Sequence, residues 1–281
     1  MASAGQLSSA ARAVRQYDRD RFVTALFAPS ERREALFALY AFNLEIAQIR
    51  EKLSEPGIGL IRLQWWRDQV AAIYGDLAVA GHPILADLAE AIRRFDLDRG
   101  LFDRLIDTRE SDLADAPPTD LGELEDYAAG TSSTLAILAV QVLASRGEGA
   151  ATAAHHVGVA WALTGLLRAV PFHARQGRVY LPRTLLAEHS MTPEDILQGP
   201  PKNLPAVSMA IADRAIEHIA AARRVRAAVP RQALPALLPA RLAEGYLAAL
   251  RRRGYDVFDT RWAMCNSRPA SLLVAVLRGR Y

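Results

Sequence analysis

The chain has 281 residues, 51% hydrophobic and 23% charged, with a formal net charge of +3, which suits a soluble globular protein. Its one cysteine, Cys265, excludes an internal disulfide and a thiolate metal cluster. The uninterrupted apolar stretches, such as that from Ser133, fall short of the roughly 20 residues of a membrane span, and Asp18 and Asp20 argue against an export signal, so a cytoplasmic protein is expected.

Helical periodicity runs through the whole chain. Residues 8–27 carry Val14, Tyr17, Phe22, Leu26 and Phe27, and end at Pro29. Ser30 is placed to cap a second helix that continues to Leu53, with Glu31 and Glu34 at the positive end of its dipole. Phe37, Tyr40, Leu44 and Ile49 recur on it at helical spacing. After a Pro-Gly break, a third helix carries the segment RLQWWRDQ and stops at Gly75. There Arg62 and Trp66 share a face, as do Leu63 and Arg67, which reads either as a core aromatic with flanking ion pairs or as an arginine-edged pocket for phosphate or carboxylate. Another helix begins near Pro83, and one more follows Asp98 and Gly100.

Asp120 is expected to cap the helix LGELEDYAAGTSSTLAILAVQVLA. A long apolar helix then runs from about Ala150 to Gln176, with GRVYLP as an extended exit. Pro193 opens a capped helical turn. The last third holds a helix from Ala206, prolines at 230, 235 and 239, a helix over 240–255 and a short terminal helix. Helix after helix with hardly a strand predicts an all-α chain, one domain spanning 1–281, built on a bundle of long helices.

Charge is unevenly distributed. From Ala206 onward there are 13 Arg against 5 Asp or Glu, a net of +8, leaving −5 for the preceding part (3 minus 8). A basic third of this kind suits an acidic lipid surface or an acidic partner, or simply a solvated face. The basic residues do not alternate with aromatics, and no nucleic-acid-binding motif occurs, so no nucleic acid is expected as a partner. There is no phosphate-binding loop, no dinucleotide fingerprint and no HExxH. His155 and His156 are neighbours on a helix, so their side chains diverge and are poorly placed to share a metal ion. Glu110, Asp112 and Asp115 read as a solvated acidic cluster.

The strings LFALYAFN, IRLQWWRD, LEDYAAGTSS and LTGLLRAVPFHARQGRVYLP together resemble the squalene/phytoene synthase family over nearly the whole chain. The resemblance implies an isoprenoid-synthase-like helical bundle. In the enzymes of that family, Mg²⁺ held by two Asp-rich motifs on facing helices draws charge from a prenyl diphosphate. Both motifs are degenerate here. The first falls on Ala47, Gln48 and Glu51, with Arg50 beside the acid, and the second on Gly165, Ala169 and His173. No catalytic residue, no metal ligand and no cofactor are therefore expected. What the resemblance leaves is an anion or lipid pocket, for which the candidates are Tyr40, Arg62, Trp66, Arg67, Tyr127, Arg168, Arg178 and Tyr180.

The runs DRDRF, LFAP and IRLQWWRD resemble a non-catalytic branch of the family that includes a mitochondrial respiratory complex I assembly factor. That implies an assembly or interaction factor with a protein partner, such as a respiratory complex subunit, and peripheral contact with the inner face of the cytoplasmic membrane. Two alternatives stand beside it: a prenyltransferase of phytoene or squalene synthase type with an atypical Mg²⁺ site, and a non-catalytic binder of an isoprenoid or anionic lipid.

Overall fold

Among the described residues every regular element is helical. The computed structural model describes residues 7–53, 55–114, 116–144, 146–264 and 269–281, so Cys265 and Asp115 lie outside the described residues. The α-helices are α1 (Ser9–Tyr17), α2 (Arg19–Ala25), α3 (Ser30–Ala47), α4 (Ile49–Lys52), α5 (Pro56–Tyr74), α6 (Leu85–Phe95), α7 (Arg99–Thr108) and α8 (Leu121–Ala128). They continue with α9 (Thr134–Ala144), α10 (Glu148–Arg175), α11 (Arg183–Glu188) and α12 (Pro193–Gln198). The last are α13 (Leu204–Arg224), α14 (Leu234–Leu237), α15 (Pro239–Arg252) and α16 (Pro269–Leu277).

Polar residues set several of the boundaries. The single helix expected over 8–27 is two, because Asp18 ends α1 and caps α2. Its carboxylate accepts from the Arg21 N–H at 3.1 Å and from the Arg21 guanidinium at 2.7 Å. Ser30 is the first residue of α3 rather than its cap; Pro29 takes the cap position without a side-chain hydrogen bond. The helix expected to run to Leu53 stops at Ala47, turns at Gln48 and resumes as the one-turn α4. Asp120 caps α8 as expected, accepting from Glu123 N–H at 2.9 Å. Thr192 and Asp195 cap α12 reciprocally.

α10 is the central helix, packed on α13, α9, α15 and α8. Between α8 and α9 the backbone widens into a π-helical turn, Ala129–Ser133, whose residues are all buried against α10. A second packing centre joins α3, α5 and α7 through Phe42, whose ring meets Trp66 at 5.3 Å and Phe102 at 5.5 Å between centroids. The buried apolar side chains form a cluster running from Ala10 to Tyr281.

Two helical runs, Leu121–Ala144 and Glu148–Arg175, are long and apolar enough to cross a membrane, although no uninterrupted apolar string in the sequence is. Of their apolar windows, 72% and 61% are buried by the rest of the protein, which makes them core helices.

Candidate functional site

A cavity of about 240 Å³ lies where α3 and α4 face α10, with the π turn on one side and the segment after α10 on the other. Ala47 and Glu51 line it from the first helical arm, and Gly165, Ala169 and His173 from α10. The two sets of positions to which the resemblance assigns the motifs thus open on one space. Gln48 is half-buried at the helix break and is not part of the lining. Tyr127, Arg178 and Tyr180 join the wall, together with Arg21, Asn43, Arg50, Arg109 and Asp112.

The floor is a buried hydrogen-bonded network. Arg109 donates to Asp112 Oδ2 at 3.1 Å and to the Tyr127 hydroxyl at 2.7 Å. Tyr127 donates in turn to Asp112 Oδ1 at 2.8 Å, and Tyr180 to the same oxygen at 3.3 Å. Burial works against the charge on Arg109, but Tyr127 and Asp112 outweigh it and its pKa rises. Burial likewise lifts the Tyr127 and Tyr180 phenols far above their ordinary range. Asp112 is therefore not the solvated acid that its place beside Glu110 suggested: the residue is 7% exposed and held by three donors.

His173 packs against Tyr180 with ring centroids 4.6 Å apart, and its Nδ1 is buried without a hydrogen-bond partner. Burial first, and the Arg178 charge second, lower its pKa to about 4. On the far side of α10, His156 Nδ1 meets His218 Nδ1 at 3.0 Å, and His218 Nε2 meets Glu125 at 2.8 Å. Burial and the neighbouring histidines lower His156 to about 4 as well. His155 turns away, as expected of adjacent helical positions, to Ser133 Oγ at 2.9 Å.

A histidine held neutral by the fold binds its proton more tightly when unfolded. Its contribution is complete above the ordinary value of 6.5 and is lost as pH falls toward 4. We expect the urea midpoint to drop across that window and His173→Gln to make the drop shallower; a midpoint equally steep in pH for both proteins contradicts this.

Five pocket candidates lie elsewhere. Trp66 is fully buried among Phe42, Trp65 and His82, so it is a core residue and cannot touch a ligand. Tyr40 is 4% exposed within the same core, its phenol pushed up to about 12 by burial. Arg62 covers the outer ring face of Trp65 at 4.6 Å. Arg67 forks onto Asp107 at 3.0 and 2.7 Å and reaches Glu110 as well. Arg168 points away from the cavity; it pairs with Asp20 at 3.3 Å and stacks on Tyr246 at 4.0 Å. Arg62 rests on a ring of its own helix, whereas Arg67 and Arg168 are positioned by acids and a ring from other segments, which helical spacing along one segment does not reveal.

Metal-dependent diphosphate chemistry needs several hard oxygen ligands that converge on the same ions. Ala47, Gly165 and Ala169 offer no side-chain oxygen, Asp112 is engaged by Arg109 and two tyrosines, and Glu51 is exposed at the rim. Among the described residues no group of three or more His, Cys, Asp or Glu could hold a metal ion. The donors do not fit a magnesium cluster. The wall instead carries four guanidinium groups, Arg21, Arg50, Arg109 and Arg178, against the two carboxylates Glu51 and Asp112. Arg21 and Arg109 went unnoticed as site residues in the sequence. The Arg109–Asp112 spacing of three, close upstream of the Tyr127 motif, was the signal available for the second.

A family model described as squalene/phytoene synthase matches residues 14–268. The chain is 34% identical over 270 residues to the NADH dehydrogenase (ubiquinone) complex I assembly factor 6 of Bos taurus, covering 95% of this chain and 81% of that one. It is 33% identical over 210 residues to a presqualene diphosphate synthase of Rhodopseudomonas palustris, covering 74% of each. A solved dehydrosqualene synthase superposes over 96% of this chain and 94% of its own with a TM-score of 0.83 at 18% identity, a likeness of fold.

Proposed function

The chain belongs to the squalene/phytoene synthase family, and from that membership we propose that it is a catalytically inactive member acting as an assembly factor for a respiratory NADH dehydrogenase of the complex I type. The observation that carries the reading is the cavity itself. Where the family's metal-dependent reaction needs facing carboxylates, this wall presents Ala47, Gly165, Ala169 and an arginine-bound Asp112. Without clustered oxygen ligands nothing offsets the charge of a departing diphosphate, so the ionisation step lacks its driving element. Extended similarity to complex I assembly factors from end to end of the helical chain supports the partner class. The working location in this reading is the cytoplasm and the inner face of the cytoplasmic membrane, beside the assembling complex.

The test has two arms. Pure protein given farnesyl or geranylgeranyl diphosphate with Mg²⁺ should release no pyrophosphate above background, and deletion of the gene should lower the amount of assembled NADH dehydrogenase. Turnover that depends on Mg²⁺ and is lost in Glu51→Ala would favour the second reading, a prenyltransferase with an atypical metal site. That reading is supported by the similarity to a presqualene diphosphate synthase. The arginine-rich wall supports a third: retention of an isoprenoid phosphate or anionic lipid without chemistry. Equilibrium dialysis with a labelled prenyl diphosphate in EDTA separates it from the other two.

A further inference from the structure

Helix α16 is apolar on both its inward and its outward face. Leu272 and Ala275 face the protein, while Ala270, Leu273, Val274 and Leu277, spaced i, i+3, i+4 and i+7, face solvent. Leu273 is 51% exposed, Val274 45% and Leu277 70%. A helix at a protein surface ordinarily turns polar residues outward, so a continuous apolar ridge marks a contact surface. Beside the ridge lies a groove of about 620 Å³, bounded by α16, α15 and the turn after α13, and lined by five arginines. Arg223 and Arg241 share the carboxylate of Glu244, and Arg223 also donates to the main-chain oxygen of Tyr281 at 2.9 Å. Arg226, Arg278 and Arg280 are exposed and have no carboxylate partner among the described residues.

We propose that this ridge and its three arginines are a docking surface for an anionic phospholipid bilayer. The ridge would enter the boundary between headgroups and acyl chains, and Arg226, Arg278 and Arg280 would meet lipid phosphates. Two features select a bilayer. The apolar strip is an exposed helix face, which a fluid acyl layer accommodates without a shape-matched partner. The cations sit at its margin and at the end of the same helix, where headgroup phosphates lie when the ridge is immersed. A soluble phosphate would engage the arginines and leave the leucines in water. The net of +8 from Ala206 onward adds long-range attraction of the same sign. This surface is remote in sequence from the cavity residues, and the proposal stands whether or not the protein assists complex assembly.

The experiment is flotation of the full chain with vesicles of phosphatidylglycerol and phosphatidylcholine, against pure phosphatidylcholine. Binding to the anionic vesicles alone, weakened by salt, is expected. Leu273→Asp with Leu277→Asp should abolish it while the circular dichroism spectrum is unchanged. Arg278→Glu and Arg280→Glu, both at exposed positions, should each lower partitioning about fivefold or more. If the leucine variant misfolds, the arginine variants alone decide the matter. Absence of flotation overturns the proposal, as does binding indifferent to all four substitutions. A dimer that Leu277→Asp dissociates, with no vesicle binding by either form, overturns it in favour of a second copy of the chain.

Discussion

Asp112→Ala should cost the protein about 3–5 kcal/mol, because it strands the Arg109 guanidinium in a buried site with no carboxylate. The substitution also removes the acceptor that the Tyr127 and Tyr180 hydroxyls share. Asp112→Asn keeps an acceptor for the tyrosines but not the countercharge, so a smaller loss is expected. The informative comparison is Arg109→Met with Asp112→Leu together. Removing both charges removes the desolvation cost of both, and the double variant should regain most of the stability lost by the single one. Urea unfolding at neutral pH measures all three. A single variant within about 0.5 kcal/mol of the parent, as for an ordinary surface change, would mean that the network is not the closed unit described above.

Gly158→Ala should destabilise by about 1–3 kcal/mol or more, although alanine is the better helix former. A Cβ at this position on α10 would lie 2.6 Å from Ser133 N and 2.8 Å from Ser132 O. These are main-chain atoms of the π turn, and no rotamer change moves them aside. α10 and the turn must separate, loosening Thr131 and Ser132 in the cavity wall and the Ser133 contact to His155. Gly165 supplies the control on the same helix. A Cβ there meets nothing within 4 Å, so Gly165→Ala should be neutral or stabilising by about 0.5–1 kcal/mol. Thermal unfolding of the pair gives opposite signs in this account. Equal effects would show that helix propensity, rather than the close approach at Gly158, dominates.

Local chemistry was legible in the sequence wherever one segment suffices to decide it. The Gly75 stop of α5, the Asp120 cap and the long apolar helix through Trp161 all follow from spacing and capping residues, whereas the Pro-Gly pair read as a break before α5 forms its first turn. The resemblance carried the motif positions, and five of the six, Gln48 excepted, line one cavity. What stayed hidden depends on contacts between segments. Arg62 and Trp66 share a helical face by spacing, yet Phe42 on α3 covers Trp66 while Arg62 remains over Trp65. Arg168 is drawn from the cavity by Asp20, which is far away in the chain. Asp112 looked like surface because its neighbours Glu110 and Asp107 are, and only Tyr127 and Arg109 closing over it bury it. Breaks at Asp18 and Gln48 interrupt runs whose apolar periodicity alone gives no reason to stop.

The placement of α10 sets a schedule for synthesis. Its most extensive partner is α13, which ends at Arg224, and α15 follows up to Arg252. While the chain emerges from the ribosome, the apolar run Leu121–Ala144 and α10 itself are complete well before these covers exist. For that interval the nascent chain displays two helices with the length and hydropathy of membrane spans, in a compartment where insertion machinery and chaperones compete for such segments. Truncations ending between Arg175 and Leu204 therefore leave the most hydrophobic part of the molecule uncovered. Translation past Arg224 is the point at which α10 gains its main cover.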